Sequence, residues 1–190
     1  MSDGLERLLA VDRKITSSLH LKNPPKIFEL FLKFISHSCD SWYWMIGLIV
    51  LWALSNHAGK KFAVITAFVT GTLAFLVLLI KFLIRRKRPD GEWGQVYRLN
   101  DPHSFPSGHA ARAFAILIVV RHLLPWWVVI IVAVWAALVA YSRVALKLHY
   151  FSDIWVGGFI GGVYAALAIN LFGLLMDIFP KVAQILFHGF

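Results

Sequence analysis

Phe62-Ala-Val-Ile-Thr-Ala-Phe-Val-Thr-Gly-Thr-Leu-Ala-Phe-Leu-Val-Leu-Leu-Ile80 runs without a charged side chain and then meets Lys81-Phe-Leu-Ile-Arg-Arg-Lys-Arg-Pro89. A helix needs ~20 apolar residues to cross the hydrocarbon core of a bilayer, so this run predicts a membrane span that ends in a basic stretch. Pro89 has no amide hydrogen to continue it. Two further runs, Trp126–Tyr141 and Ile154–Met176, have the same character. Across all 190 residues, 59% are hydrophobic and only 15% charged, too apolar for a soluble globule. The chain is expected to be an integral membrane protein folded as one domain over residues 1–190.

Two shorter segments complete the expected architecture. Ser41–Ser55 is rich in tryptophan and reads as a first span that borrows earlier residues, because so short a helix rises only ~22 Å. Gly108–Leu124 carries Arg112 and Arg121, charges that imply a helix buried among others or short in the membrane. The predicted fold is therefore all-α, a polytopic bundle of about five spanning helices over residues 41–177. Residues 1–40 precede it as an amphipathic helix (1–23) and, after Pro24-Pro25, an interfacial helix (26–35). Gly157, Gly158, Gly161 and Gly162 form a doubled small-residue pattern suited to close helix packing. The tail, 177–190, carries no signal, and no basic region followed by an apolar stretch marks a cleavable leader at the start.

With five spans, the loops after the second and fourth lie on one side of the membrane, where their polar residues can meet. Lys81 and Arg88 are two turns apart on a continuing helix and would reach one anion, with Arg85, Arg86 and Lys87 facing solvent or lipid headgroups. In Ser104-Phe-Pro-Ser-Gly-His109, Pro106 fixes the backbone and Gly108 permits close approach, so free N–H groups at a helix start flank Ser107 and His109. A simple cap in which Ser107 satisfies backbone donors is the competing reading. In Ser142-Arg143-Val-Ala-Leu-Lys-Leu-His149-Tyr-Phe-Ser-Asp153, His149 and Asp153 are i and i+4 on one face of a helix, so the carboxylate can accept a hydrogen bond from one ring nitrogen and leave the other as a lone-pair nucleophile. Arg143 is out of phase with His149, which requires a break within 144–148, and Lys147 is left to face headgroups. Asp90, Glu92 and Asp101 read as solvated loop acids, and Cys39 as a structural thiol. Arg112, one turn beyond His109, either meets a second phosphate or packs as a buried arginine.

Three cations, two histidines, a carboxylate and a nest of amides on one membrane face describe a phosphate site. The strings Lys-x6-Arg-Pro (81–89), Pro-Ser-Gly-His (106–109) and Ser-Arg-x5-His-x3-Asp (142–153) resemble the three signature motifs of the type-2 phosphatidic acid phosphatases, in order and without substitution. The resemblance implies that His149 attacks phosphorus to form a phosphohistidine, that Asp153 orients it, and that His109 protonates the leaving oxygen. It also implies that Lys81, Arg88, Arg143, Ser107 and the Gly108 amide hold the phosphate oxygens, with no metal or other cofactor. Segments 84–89 and 104–113 look most similar to the small branch acting on polyisoprenoid diphosphates, so the expected partner is a phosphorylated lipid within the membrane.

The rivals are an anionic-lipid receptor or transporter, which needs no His149/Asp153 pair, and a phosphatase of soluble phosphates, which needs more polar helix interiors. Nucleic acid is not expected despite the net charge of +9, since the cations belong at membrane surfaces or in the site. Of the 19 Lys and Arg, 15 lie on the side holding the N-terminus and motif loops, against Lys60, Lys61, Arg121 and Lys181 on the other. Discounting the three phosphate ligands leaves 12 against four, which places the active site in the cytoplasm, an outward-facing enzyme being the alternative.

Overall fold

The computed structural model describes residues 3–90 and 101–188, which form eight helices. They are α1 (Asp3–Leu19), α2 (Lys26–His37), α3 (Ser41–Leu54), α4 (His57–Ile84), α5 (Gly108–Leu123), α6 (Trp126–Ala145), α7 (Phe151–Ile178) and α8 (Pro180–His188). Three of them, α4, α6 and α7, are long and apolar enough to cross a membrane. The expected count of five is not reached on that criterion. α5 and α3 have 16 and 14 residues, about 24 and 21 Å at 1.5 Å per residue, short of the ~30 Å hydrocarbon thickness. α3 borrows nothing from the preceding segment, because α2 ends at His37 and Asp40 starts a new helix. The tail that carried no sequence signal is helical in α8, whose Leu186 carbonyl accepts a bond from Trp52 Nε1 at 2.7 Å.

α5 is the central helix. Its small residues Ala110, Ala111, Ala113 and Ala115 are fully buried and let α4, α6 and α7 approach on different sides. Ile65, Val69, Leu73 and Val77, one helical stripe of α4, pack with Val119 of α5 and with Ala165, Ile169 and Phe172 of α7. The opposite stripe of α4, including Phe75, Leu78, Leu79 and Phe82, is exposed, as lipid contact requires. At Gly161 a Cβ would sit 2.0 Å from the Ala111 carbonyl oxygen, and at Gly157 one would sit 2.5 Å from that of Ser107. These two glycines seat α7 on the start of α5, whereas Gly162 faces open space.

Candidate active site

The first motif does not lie on one helix. α4 ends at Ile84, and Arg85 takes a left-handed conformation (φ 52°) that turns the chain away. Arg86–Pro89 then runs beside His103–Pro106, pinned by the Ser104 amide bonding the Arg86 carbonyl at 2.8 Å and by a bridge between Lys87 and His103. Lys81 and Arg88 still reach one anion, which is Asp101. Its Oδ2 accepts from Lys81 Nζ at 2.7 Å and from Arg88 Nη2 at 2.9 Å. Asp101 is therefore no idle loop acid: it bonds both motif cations. Asp90 is exposed as expected, while Glu92 lies outside the described residues.

Arg86 also departs from expectation. It bonds Asp153 Oδ1 at 2.8 Å, Ser152 Oγ at 2.7 Å and Asp12 Oδ2 at 2.6 Å, and stacks over the Tyr150 ring. Asp12 in turn accepts from the Ser152 amide and hydroxyl, so α1 is fastened to the start of α7 beside the third motif. Arg85 and Lys87 remain exposed.

The break required between Arg143 and His149 is present. α6 stops at Ala145, Lys147 has φ 54°, and the Leu148 and His149 amides both bond back to the Arg143 carbonyl. His149 consequently precedes α7 and does not share a helical face with Asp153. Its Nδ1 lies 2.7 Å from the Ser104 carbonyl oxygen, whereas Asp153 Oδ2 stands 3.6 Å away, too far for a good hydrogen bond. Asp153 caps α7 instead, accepting from the Tyr150 amide at 2.9 Å. Because a carbonyl can only accept, Nδ1 carries the proton and the lone pair resides on Nε2, 3.1 Å from Arg88 Nη1. Burial first, then the charges of Arg88, Arg143 and Lys81, push the His149 pKa well below the usual 6.5, so the ring is neutral at pH 7.

Ser107 caps α5, its hydroxyl accepting from the Ala110 amide at 3.4 Å, and its own amide bonds the Asp153 carbonyl at 3.0 Å. A Cβ at Gly108 would meet only Val77 at 3.6 Å, so within the protein the demand for glycine falls on 157 and 161. His109 Nε2 is 2.7 Å from Asp40 Oδ1, and His37 Nδ1 is 2.8 Å from Asp40 Oδ2. Burial would raise the Asp40 pKa, but the hydrogen bonds from the two histidines outweigh it and hold the carboxyl at about 2. Asp40 is a site residue that sequence reasoning missed. Arg112 bonds the Cys39 carbonyl and Ser41 Oγ, tying the corner between α2 and α3 to α5. Arg143 bonds Ser36 Oγ of α2. The Cys39 thiol is buried, which pushes its pKa up to about 11 and keeps it protonated.

The described site thus places the cations of Lys81, Arg88 and Arg143 around a neutral, oriented imidazole at one end of a membrane bundle. The PAP2 superfamily profile matches residues 62–177, more than half of the chain and all three motifs. The chain belongs to the PAP2 superfamily. It is an integral-membrane, metal-independent lipid phosphatase. Its fold is similar to that of the first transmembrane PAP2 type phosphatidylglycerolphosphate phosphatase from Bacillus subtilis (TM-score 0.72, 24% identity, covering 90% of this chain and 87% of that one). It is also similar to LpxE of Aquifex aeolicus (TM-score 0.67, 23% identity, covering 85% and 94%).

Proposed function

We propose that this phosphatase hydrolyses polyisoprenoid diphosphates at the cytoplasmic face through a phosphohistidine. The observation that carries the chemistry is the fixed tautomer of His149, whose Nε2 lone pair points into the cation cluster. Nε2 attacks phosphorus, the new N–P bond forms as the P–O bond to the leaving group breaks, and His109 gives that oxygen a proton. Water then attacks phosphorus with His109 as base, the N–P bond breaks and phosphate leaves. Lys81, Arg88 and Arg143, with Ser107 and the Gly108 amide, neutralise the non-bridging oxygens in place of a metal. Asp40 positions His109 and stabilises its cation, while Asp153 supports the loop of His149 and offsets positive charge on the ring.

The substrate assignment rests on the resemblance of residues 84–89 and 104–113 to the isoprenoid diphosphate branch, and sidedness on the excess of Lys and Arg at the motif end. The test is phosphate release by purified protein in detergent with EDTA, from farnesyl diphosphate, undecaprenyl diphosphate, phosphatidate and phosphatidylglycerol phosphate. The isoprenoid diphosphates should give the higher kcat/KM. A preference for either glycerolipid would overturn the substrate assignment, and a preference for phosphatidylglycerol phosphate would align the enzyme with the Bacillus subtilis phosphatidylglycerolphosphate phosphatase.

A further inference from the structure

On α1, the side chains of Glu6, Arg7, Arg13 and Lys14 are exposed, while Asp12 is buried against the start of α7. A carboxylate taken out of water is costly unless it is paired and hydrogen-bonded, and both Asp12 oxygens are engaged. Oδ1 accepts from the Ser152 amide at 2.9 Å, and Oδ2 accepts from Ser152 Oγ and from Arg86 Nη2, each at 2.6 Å. Neighbouring groups grip the same region. Thr16 Oγ1 accepts from the Phe151 amide at 3.0 Å, and His20 Nδ1 lies 2.8 Å from the Ala145 carbonyl oxygen. The loop that carries His149 is therefore held by α1 at both of its ends, Ala145 on one side and Phe151 with Ser152 on the other.

Through Arg86 this contact reaches the nucleophile. The Arg86 side chain spans two carboxylates, with Nη2 on Asp12 and Nη1 on Asp153 Oδ1 at 2.8 Å, and its guanidinium lies 3.9 Å from the centre of the Tyr150 ring. Its backbone carbonyl accepts from the Ser104 amide at 2.8 Å. Ser104 and Asp153 are the two groups beside His149 Nδ1, the carbonyl at 2.7 Å and the carboxylate at 3.6 Å. One arginine thus ties both neighbours of the ring nitrogen together, and Asp12 holds the arginine. Charge points the same way. As Nε2 attacks phosphorus the imidazole gains positive charge, which the Asp153 carboxylate offsets. With Asp12 in place the Arg86 cation is shared between two carboxylates; without it the whole charge rests on Asp153 and opposes that of the ring. The penalty falls on the transition state, where the ring charge develops, and not on phosphate binding, which uses Lys81, Arg88 and Arg143.

We propose that Asp12 is a positioning residue for the nucleophile: through Arg86 it fixes Asp153 and Ser104 about His149 Nδ1. The inference rests on the phosphohistidine reading and extends it to α1, outside the stretch 62–177 that the superfamily profile matches. Asp12→Asn is the selective change. Its remaining oxygen keeps an acceptor for the Ser152 amide, while an NH₂ in place of Oδ2 faces the Arg86 donors and cannot accept from them. Thr16→Val is the matched control. It removes the acceptor of the Phe151 amide at nearly constant volume, one turn further along α1, and leaves the pair of Asp12 and Arg86 intact.

The experiment measures kcat and KM separately for wild type, Asp12→Asn, Arg86→Gln, the double variant Asp12→Asn/Arg86→Gln, Thr16→Val and His149→Gln. Farnesyl diphosphate and phosphatidate in mixed micelles are the probes, and thermal melting in detergent identifies the folded variants. Asp12→Asn should lower kcat by roughly 10–100-fold, the scale of a small misplacement of a reacting group, with KM little changed and the same factor on both substrates. Thr16→Val should keep the wild-type kcat. The double variant should fall no further than Arg86→Gln, because residues acting through one another do not add, whereas independent losses multiply. Arg86→Lys, which keeps the charge but cannot bridge two carboxylates, takes the place of Arg86→Gln in the cycle if the latter does not fold. Wild-type kcat in Asp12→Asn, equal losses in Asp12→Asn and Thr16→Val, a change in KM alone, or multiplied losses in the double variant would each overturn the inference. Near-normal turnover in folded His149→Gln would overturn the phosphohistidine reading instead.

Discussion

Asp101→Asn should tighten the binding of phosphate-like anions. The Asp101 carboxylate joins Lys81 Nζ and Arg88 Nη2 at 2.7 and 2.9 Å, the position a phosphate oxygen must take to use both cations. Each charge-assisted bond has an intrinsic strength of ~1.5–3 kcal/mol. The Asp101 side chain is 41% exposed, however, and water screens exposed pairs heavily. A combined ~1–2 kcal/mol is the reasonable cost of displacing it, equivalent to a factor of roughly 5–30 in binding. Asparagine keeps the shape and removes the charge. The cations would keep their places, because Lys81 also bonds the His103 carbonyl and Arg88 the Asp101 and Leu148 carbonyls. The assay is the inhibition constant of orthovanadate in the presence of EDTA, with wild type and variant compared at pH 7. A fall of about 5–30-fold is expected. An unchanged or weaker constant would refute the reasoning, and would mean that Asp101 organises the two cations rather than competing for them.

His149→Gln should lose turnover by roughly 10⁴-fold or more and should no longer trap phosphoenzyme on acid quenching; a folded variant with near-normal turnover would remove His149 from the mechanism. Asp40, held at about 2 against an ordinary 3.8, contributes stability that is fully present above pH ~4 and lost as pH falls toward 2. Screening at this half-buried group limits the contribution to about 1 kcal/mol. Thermal unfolding in detergent should show that acid loss in wild type and a flatter profile in Asp40→Asn, alongside a roughly tenfold or greater drop in kcat from the unsupported His109. Gly161→Ala drives a Cβ into the Ala111 carbonyl and should cost about 1–3 kcal/mol or more. Gly162→Ala faces open space and should be neutral or stabilising, so equal melting shifts in the two would contradict the helix contact. Single cysteines at Asp90 and Asn56 in a Cys39→Ser background should be protected and labelled, respectively, by an impermeant maleimide on intact cells. The reverse pattern would turn the active site outward.

Long apolar runs and the order of three polar strings were legible without coordinates, because each depends on composition and local spacing. α4, α6 and α7 follow from charge-free stretches, and the required break after Arg143 follows from the helical phase of two residues that had to meet. Which atoms meet was decided by the tertiary structure. His149 Nδ1–H donates to the Ser104 carbonyl, a backbone group that leaves no mark in residue identity, once the left-handed turn at Arg85 has brought residues 86–89 against 103–106. Asp40, Asp101 and Asp12 look in the sequence like three ordinary acids, one before a helix, one in a loop and one within an amphipathic helix. Each gained its place through partners far along the chain: His109, the Lys81/Arg88 pair, and Arg86 with Ser152. Periodicity reports which face of a helix is buried, but the pairing of buried charges depends on how helices close around them, and that is a property of the assembled bundle.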